Sequence, residues 1–196
     1  MSEIRRLAVF CGSNPGARPD YVEGARGFGR LLSQRGIGVV YGGSSVGLMA
    51  AVAEAVLDEL GDIIGVIPKM LVEREVAHKS LTDLRIVDSM HERKSLIAEL
   101  SDGFVALPGG IGTLEEFFEI WTWAQLGVHS KPCGLLNIAG YFDPLLSFLD
   151  RAVEEKFVRE VHRSMVIVES DPIRLLNRFE VYEPPKVVKW LNAGTI

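Results

Sequence analysis

Seven short runs rich in valine, isoleucine, leucine and phenylalanine recur along the chain, at 7–11, 37–41, 63–67, 84–87, 104–107, 134–138 and 165–168. Most are too short and too β-branched to be helices. Their apolar residues run continuously instead of alternating with polar ones, as in strands covered on both faces, which is the habit of a parallel sheet. Longer segments of helical period lie between them. Pro19 and Asp20 open one helix that ends near Gly36, and the alanine-rich stretch 47–60 forms another with Gly61 as its expected C-cap. The alternation predicts an α/β fold, a three-layer sandwich with a mostly parallel sheet. At 196 residues the chain fits one domain, 1–196, with no repeat or linker to divide it. The segment 68–83 breaks the rhythm and is expected to be a surface excursion with one helical turn. The tail from Glu183, with Pro184 and Pro185, is either a short closing helix or a poorly ordered end.

Charge and composition exclude several classes of function. Hydrophobic residues make up 47% and charged residues 24%, well away from the signature of disorder. A net charge of −5 with scattered lysines and arginines leaves no footprint for a nucleic-acid polymer. Arg5 and Arg6 precede only a short apolar run, too short for a signal peptide or a membrane span, so a cytoplasmic chain without a membrane partner is expected. Cys11 and Cys133 form no CxxC pair, and His78, His91, His129 and His162 show no ligand spacing. Neither a metal nor a cofactor is expected.

Glycine-containing turns follow three of the expected strands: Cys11-Gly12-Ser13-Asn14, Tyr41-Gly42-Gly43-Ser44-Ser45-Val46-Gly47 and Leu107-Pro108-Gly109-Gly110-Ile111-Gly112-Thr113. In a parallel sheet these turns share one edge, where backbone amides and helix N-termini can approach an anion such as phosphate. Any one of them alone would be read as a tight turn. There is no GxxxxGK[ST] and no GxGxxG after the first strand, which disfavours an ATP-hydrolysing P-loop and a dinucleotide oxidoreductase. The stretch 43–47 matches GxSxG and makes Ser45 a formal nucleophile, but no acid or histidine is marked as its partner.

The most specific region is Met90-His91-Glu92-Arg93-Lys94, which opens a helix, followed by the strand 104–107 and by Pro108-Gly109-Gly110-Ile111-Gly112-Thr113-Leu114-Glu115-Glu116. Leu114, Phe117, Phe118 and Trp121 fall on one helical stripe, and Glu116 points elsewhere. From spacing alone, Thr113 and Glu116 would form a capping box, and Arg93 would be a solvated charge. Both motifs are complete, however, and the chain resembles the Lonely Guy family of cytokinin riboside 5′-monophosphate phosphoribohydrolases, long mislabelled as lysine decarboxylases. Its signature is PGGxGTxxE with an upstream MHxRK. The similarity extends from Val9-Phe10-Cys11-Gly12-Ser13 through Gly42-Gly43 and Gly65-Val66-Ile67-Pro68 to Trp123-Ala124-Gln125-Leu126-Gly127.

The resemblance implies a Rossmann-like fold, a homodimer, and hydrolysis of an N6-modified AMP, or of AMP itself, to free base and ribose 5-phosphate. It implies Glu116 and Arg93 as catalytic residues. Gly110, Gly112 and Thr113, with Gly109 beside them, would hold the 5′-phosphate. Lys94, Ser13, Gly43 and Met49 would line the nucleotide pocket, and Glu75, in preference to Glu73, would contact substrate from the excursion. The aromatic helix, with Phe117, Phe118, Trp121 and Trp123, offers more apolar area than one stripe requires, which also suggests a homodimer. The competing expectation is a nucleotide carrier or sensor that binds on the same glycine edge without turnover. A decarboxylase would need a Schiff-base lysine for pyridoxal phosphate, and no motif marks one.

Overall fold

The computed structural model describes residues 4–72, 77–78 and 80–185. Strands β1 (Arg6–Phe10), β2 (Gly38–Tyr41), β3 (Ile63–Pro68), β4 (Asp83–Val87), β5 (Gly103–Ala106), β6 (Cys133–Leu136) and β7 (Val166–Glu169) form one seven-stranded sheet in the order β4-β3-β2-β1-β5-β6-β7. Every pairing is parallel. All seven apolar runs are strands, with ends shifted by at most two residues. The largest shift is at β6, where the chain leaves the sheet at Asn137. That side chain accepts from the Phe142 N–H at 2.7 Å and donates to Asp143 at 2.7 Å, fixing a 3₁₀ turn at Ile138–Gly140.

Helices α1 (Pro19–Gln34) and α2 (Gly47–Asp58) follow β1 and β2, and a single helical turn, α3 (Lys69–Val72), opens the excursion after β3. The chain continues through α4 (Met90–Leu100), α5 (Ile111–Leu126), α6 (Asp143–Glu154), α7 (Glu160–Arg163) and α8 (Pro172–Glu180). Successive strand residues face opposite layers. Leu7 and Val9 pack with Phe28 of α1, Val52 of α2 and Leu175 of α8, whereas Ala8 and Phe10 pack with Ile97 of α4, Phe117 of α5 and Leu149 of α6. The result is the expected three-layer α/β sandwich. No described helix is long and apolar enough to cross a membrane.

The direction of strand addition reverses between β1 and β5, and this seam is closed at both ends. At its base, Asp102 Oδ2 accepts from the backbone N–H groups of Arg5 (2.8 Å) and Arg6 (3.0 Å). At its upper end, the Leu107 N–H donates to Phe10 O (2.9 Å) and the Gly12 N–H to Pro108 O (3.0 Å). A crevice outside such a reversal is where open α/β sheets bind ligands.

One expectation from the sequence needs correction. The left-handed residue that ends α2 is Leu60 (φ 56°), not Gly61. The Leu60 side chain is almost fully exposed and loses no packing there, while a Cβ on Gly61 would run into Ser33. The aromatic residues of α5 are partly taken up within the chain. Phe117 and Trp121 are buried, Phe118 and Trp123 pack partly buried on the same cluster, and the Trp121 indole donates to His162 O at 3.0 Å. The closing segment 186–196 lies outside the described residues.

Helix α1 carries an internal test of this packing. Gly27 faces open space, but a Cβ on Gly29 would sit 2.8 Å from the Val52 carbonyl oxygen in α2. Gly27→Ala is expected to stabilise the fold by about 0.5–1 kcal/mol through helix propensity. Gly29→Ala is expected to destabilise it by about 1–3 kcal/mol by forcing the helices apart. Urea unfolding midpoints of the two variants should move in opposite directions.

Candidate active site

The C-terminal strand ends carry the glycine turns, and α5 starts at the reversal between β1 and β5. Its N-cap is Gly110, in extended conformation, and no side chain caps it. The capping box of Thr113 and Glu116 is therefore not formed. The helix begins three residues earlier than that box would require, because Gly109-Gly110 supply the extended entry and Gly110 O accepts from the Leu114 N–H at 3.2 Å. Thr113 is buried in the first turn. It packs so closely on Gly109 that a Cβ there would meet the Thr113 hydroxyl oxygen at 2.2 Å and the Gly12 nitrogen at 2.8 Å.

Arg93 comes from the first turn of α4. Ser89 caps that helix by accepting from the Glu92 N–H (3.1 Å), while Glu92 accepts from the Asp88 N–H (2.8 Å). The guanidinium enters beneath the sheet edge. Its Nε donates to Val66 O of β3 at 3.2 Å, its Nη2 to Gly42 O at 3.5 Å, and its Nη1 lies 3.6 Å from Glu116 Oε1. The two side chains are only 8% and 13% exposed, so this is a buried ion pair and not the solvated charge that spacing alone suggests. At 3.6 Å the contact is coulombic and not a short hydrogen bond. A Cβ on Gly42 would stand 2.1 Å from Arg93 Nη2, so only glycine at 42 leaves room for the guanidinium. Cys11 lies close enough to feel Glu116. Burial, and then this carboxylate, push the thiol far above its ordinary pKa and keep it protonated.

The other expected site residues distribute around this pair. Lys94 turns to α5, with its ammonium 2.7 Å from Glu115 and 2.9 Å from Glu119. Burial alone would lower its pKa, but the two carboxylates outweigh that and hold it above the ordinary lysine value. Met49 is buried in the core cluster, and its sulfur would lie 3.2 Å from a Cβ on Gly42, so it borders the Arg93 pocket from behind. Gly43 takes a left-handed φ of 74°. Glu75 lies outside the described residues. Ser13, Asn14, Tyr21, Leu48, Gly109 and Tyr141 line an open cavity of about 260 Å³ at the β1/β5 crevice. The motifs missed Tyr141, whose position just past the sixth apolar run is the only sequence signal for it. They also missed the carbonyls of Gly42 and Val66, which no side-chain pattern can show. Among the described residues no group of three or more His, Cys, Asp or Glu side chains is placed to hold a metal.

Residues 49–179 match the family model described as "Possible lysine decarboxylase". The chain is 49% identical to cytokinin riboside 5′-monophosphate phosphoribohydrolase LOG of Oryza sativa subsp. japonica, over 93% of this chain and 76% of that one. It is 47% identical to cytokinin riboside 5′-monophosphate phosphoribohydrolase LOG3 of Arabidopsis thaliana, over 93% of this chain and 85% of that one. Among solved structures, the molybdenum cofactor binding protein of Rippkaea orientalis superposes with a TM-score of 0.68 at 22% identity, covering 92% of this chain and 98% of that one. The molybdenum cofactor carrier protein of Chlamydomonas reinhardtii gives 0.69 at 18% identity, with 92% and 100% covered. At such identities these two share the fold alone. Near-half identity along almost the whole chain, with both signature motifs meeting at one strand edge, places the protein in the Lonely Guy family.

Proposed function

We propose that this chain is a cytokinin riboside 5′-monophosphate phosphoribohydrolase, which hydrolyses the N-glycosidic bond of N6-substituted AMP to free base and ribose 5-phosphate, and also cleaves AMP to adenine. The observation that carries the reading is the buried Arg93–Glu116 pair beside the uncapped start of α5, in a chain 47% and 49% identical to proteins of that name. Departure of the base leaves positive charge on C1′ and O4′ of the ribose. A carboxylate held beside that carbon stabilises the charge and orients the attacking water, and Glu116 fills this role. Arg93 fixes the direction of Glu116, since its own Nε and Nη2 are already held by Val66 and Gly42.

The first amides of α5 and the Thr113 hydroxyl hold the 5′-phosphate, with the helix dipole in their favour. Phosphate at Gly110, Gly112 and Thr113 and a carboxylate one turn further on are spaced to grip the two ends of one ribose 5-phosphate. Ser13 and Gly109 close the crevice from the side of β1 and β5. Gly43 and Met49 shape its wall near Arg93. Lys94 contributes through its contacts to α5. The carrier reading draws only on the fold, which the molybdenum cofactor proteins share at 18–22% identity.

Chromatography of free base released from AMP and from N6-isopentenyl-AMP tests the proposal. The wild type should release base, and Glu116→Gln should fold normally yet lose at least about a hundredfold in kcat. Nucleotide binding without any release by the wild type would make the protein a carrier. A second variant probes the pair without touching either member: Gly42→Ala should displace the guanidinium and lower kcat about tenfold or more. It should also lower the melting temperature, because the buried guanidinium would be pulled off its carbonyl and carboxylate partners, so kcat is compared below the variant's unfolding transition.

A further inference from the structure

Tyr141, just beyond β6, belongs to no recognised motif, yet its hydroxyl donates to the Gly109 carbonyl at 2.5 Å. The ring is fixed on two sides, meeting Tyr21 edge-on at 5.5 Å and Phe142 at 5.1 Å. Tyr21 lies under the Arg18 guanidinium at 5.9 Å, and Arg18 donates to Ala139 O at 3.4 Å, so the phenol is tied to both α1 and the 3₁₀ turn.

The Gly109–Gly110 peptide has glycine on both sides, so side chains give it no preference between its two faces. It is trans and planar, and its C=O and N–H point in opposite directions. A hydroxyl that holds the Gly109 carbonyl toward Tyr141 therefore fixes the Gly110 N–H toward the opposite side. Among the described residues, that N–H donates to no protein acceptor. We infer that Tyr141 is a positioning residue for the phosphate end of the substrate: it locks the Gly109–Gly110 peptide so that the Gly110 amide faces the 5′-phosphate. The inference rests on the proposed seat of the phosphate at Gly110 to Thr113.

Tyr141→Phe keeps the ring contacts and removes only the hydroxyl. The phosphate is bound equally in ground and transition states, so the loss should fall on binding and not on chemistry. The expected result is a KM for AMP about three- to tenfold higher, an equal rise in the inhibition constant of ribose 5-phosphate, and unchanged kcat and melting temperature. Unchanged KM and inhibition constant would overturn the inference. So would a fall in kcat and melting temperature with KM unaltered, since that describes a purely structural tyrosine. If ribose 5-phosphate inhibits the wild type no better than ribose does, the phosphate seat itself is wrong, and the role of Tyr141 falls with it.

Discussion

The pairing of β1 with β5 is the contact on which the other features depend. It joins segments 96 positions apart at the Arg6–Asp102 contact, and it is where strand order reverses. Without it, the turn after β1 and the turn after β5 would not share an edge, and the Gly12 amide would not reach the Pro108 carbonyl. The carboxylate of Asp102 secures the base of the seam by accepting two backbone amides at once. A hydrogen bond to a charged acceptor is stronger than a neutral one, which suits a closure made across so long a loop. Once the seam is shut, α4 and α5 fall on the same face of the sheet, and Arg93 and Glu116 are brought together from separate motifs.

The buried guanidinium shows how such a site is made tolerable. A charge of this kind taken out of water must be met by oxygen in several directions. Here two of the acceptors are main-chain carbonyls, that of Val66, inside β3 just past its pairing with β2, and that of Gly42, just past the end of β2. Acceptors of this type are held by the sheet and do not depend on a side-chain rotamer. The neighbouring lysine is handled differently, with two side-chain carboxylates of α5, an exposed one on Glu115 and a largely buried one on Glu119. Adjacent cations on one helix thus do separate work, one directed into the crevice and one clamping two helices.

Sequence disclosed the architecture well because the physics behind it is local. Continuous β-branched runs mark strands that are covered on both sides, and Pro19 and Gly47 mark helix starts. It also marked the two motifs that meet in the Arg93–Glu116 pair, since both follow strand ends. What it missed depends on three-dimensional approach. Thr113 and Glu116 have the spacing of a capping box, and only the extended entry at Gly110 shows that the helix starts too early for one. How far each aromatic of α5 is covered, Phe117 and Trp121 buried and Phe118 and Trp123 half-buried, is likewise set by packing. Carbonyl acceptors and the phenol of Tyr141 leave no periodic trace.

The missing cap on α5 has a consequence for how the molecule holds together. Side chains cap α4, by Ser89, and α8, by Asp171, whereas α1, α2, α6 and α7 start without one, as α5 does. At Gly110 it supplies none, and the first turn presents donors that nothing in the described chain satisfies by a side chain. The proposed phosphate would complete the helix there, so its occupancy and the local order of the chain would be one equilibrium read from two sides. On that reading the amide protons of the first turn of α5 exchange more slowly in the filled protein than in the empty one.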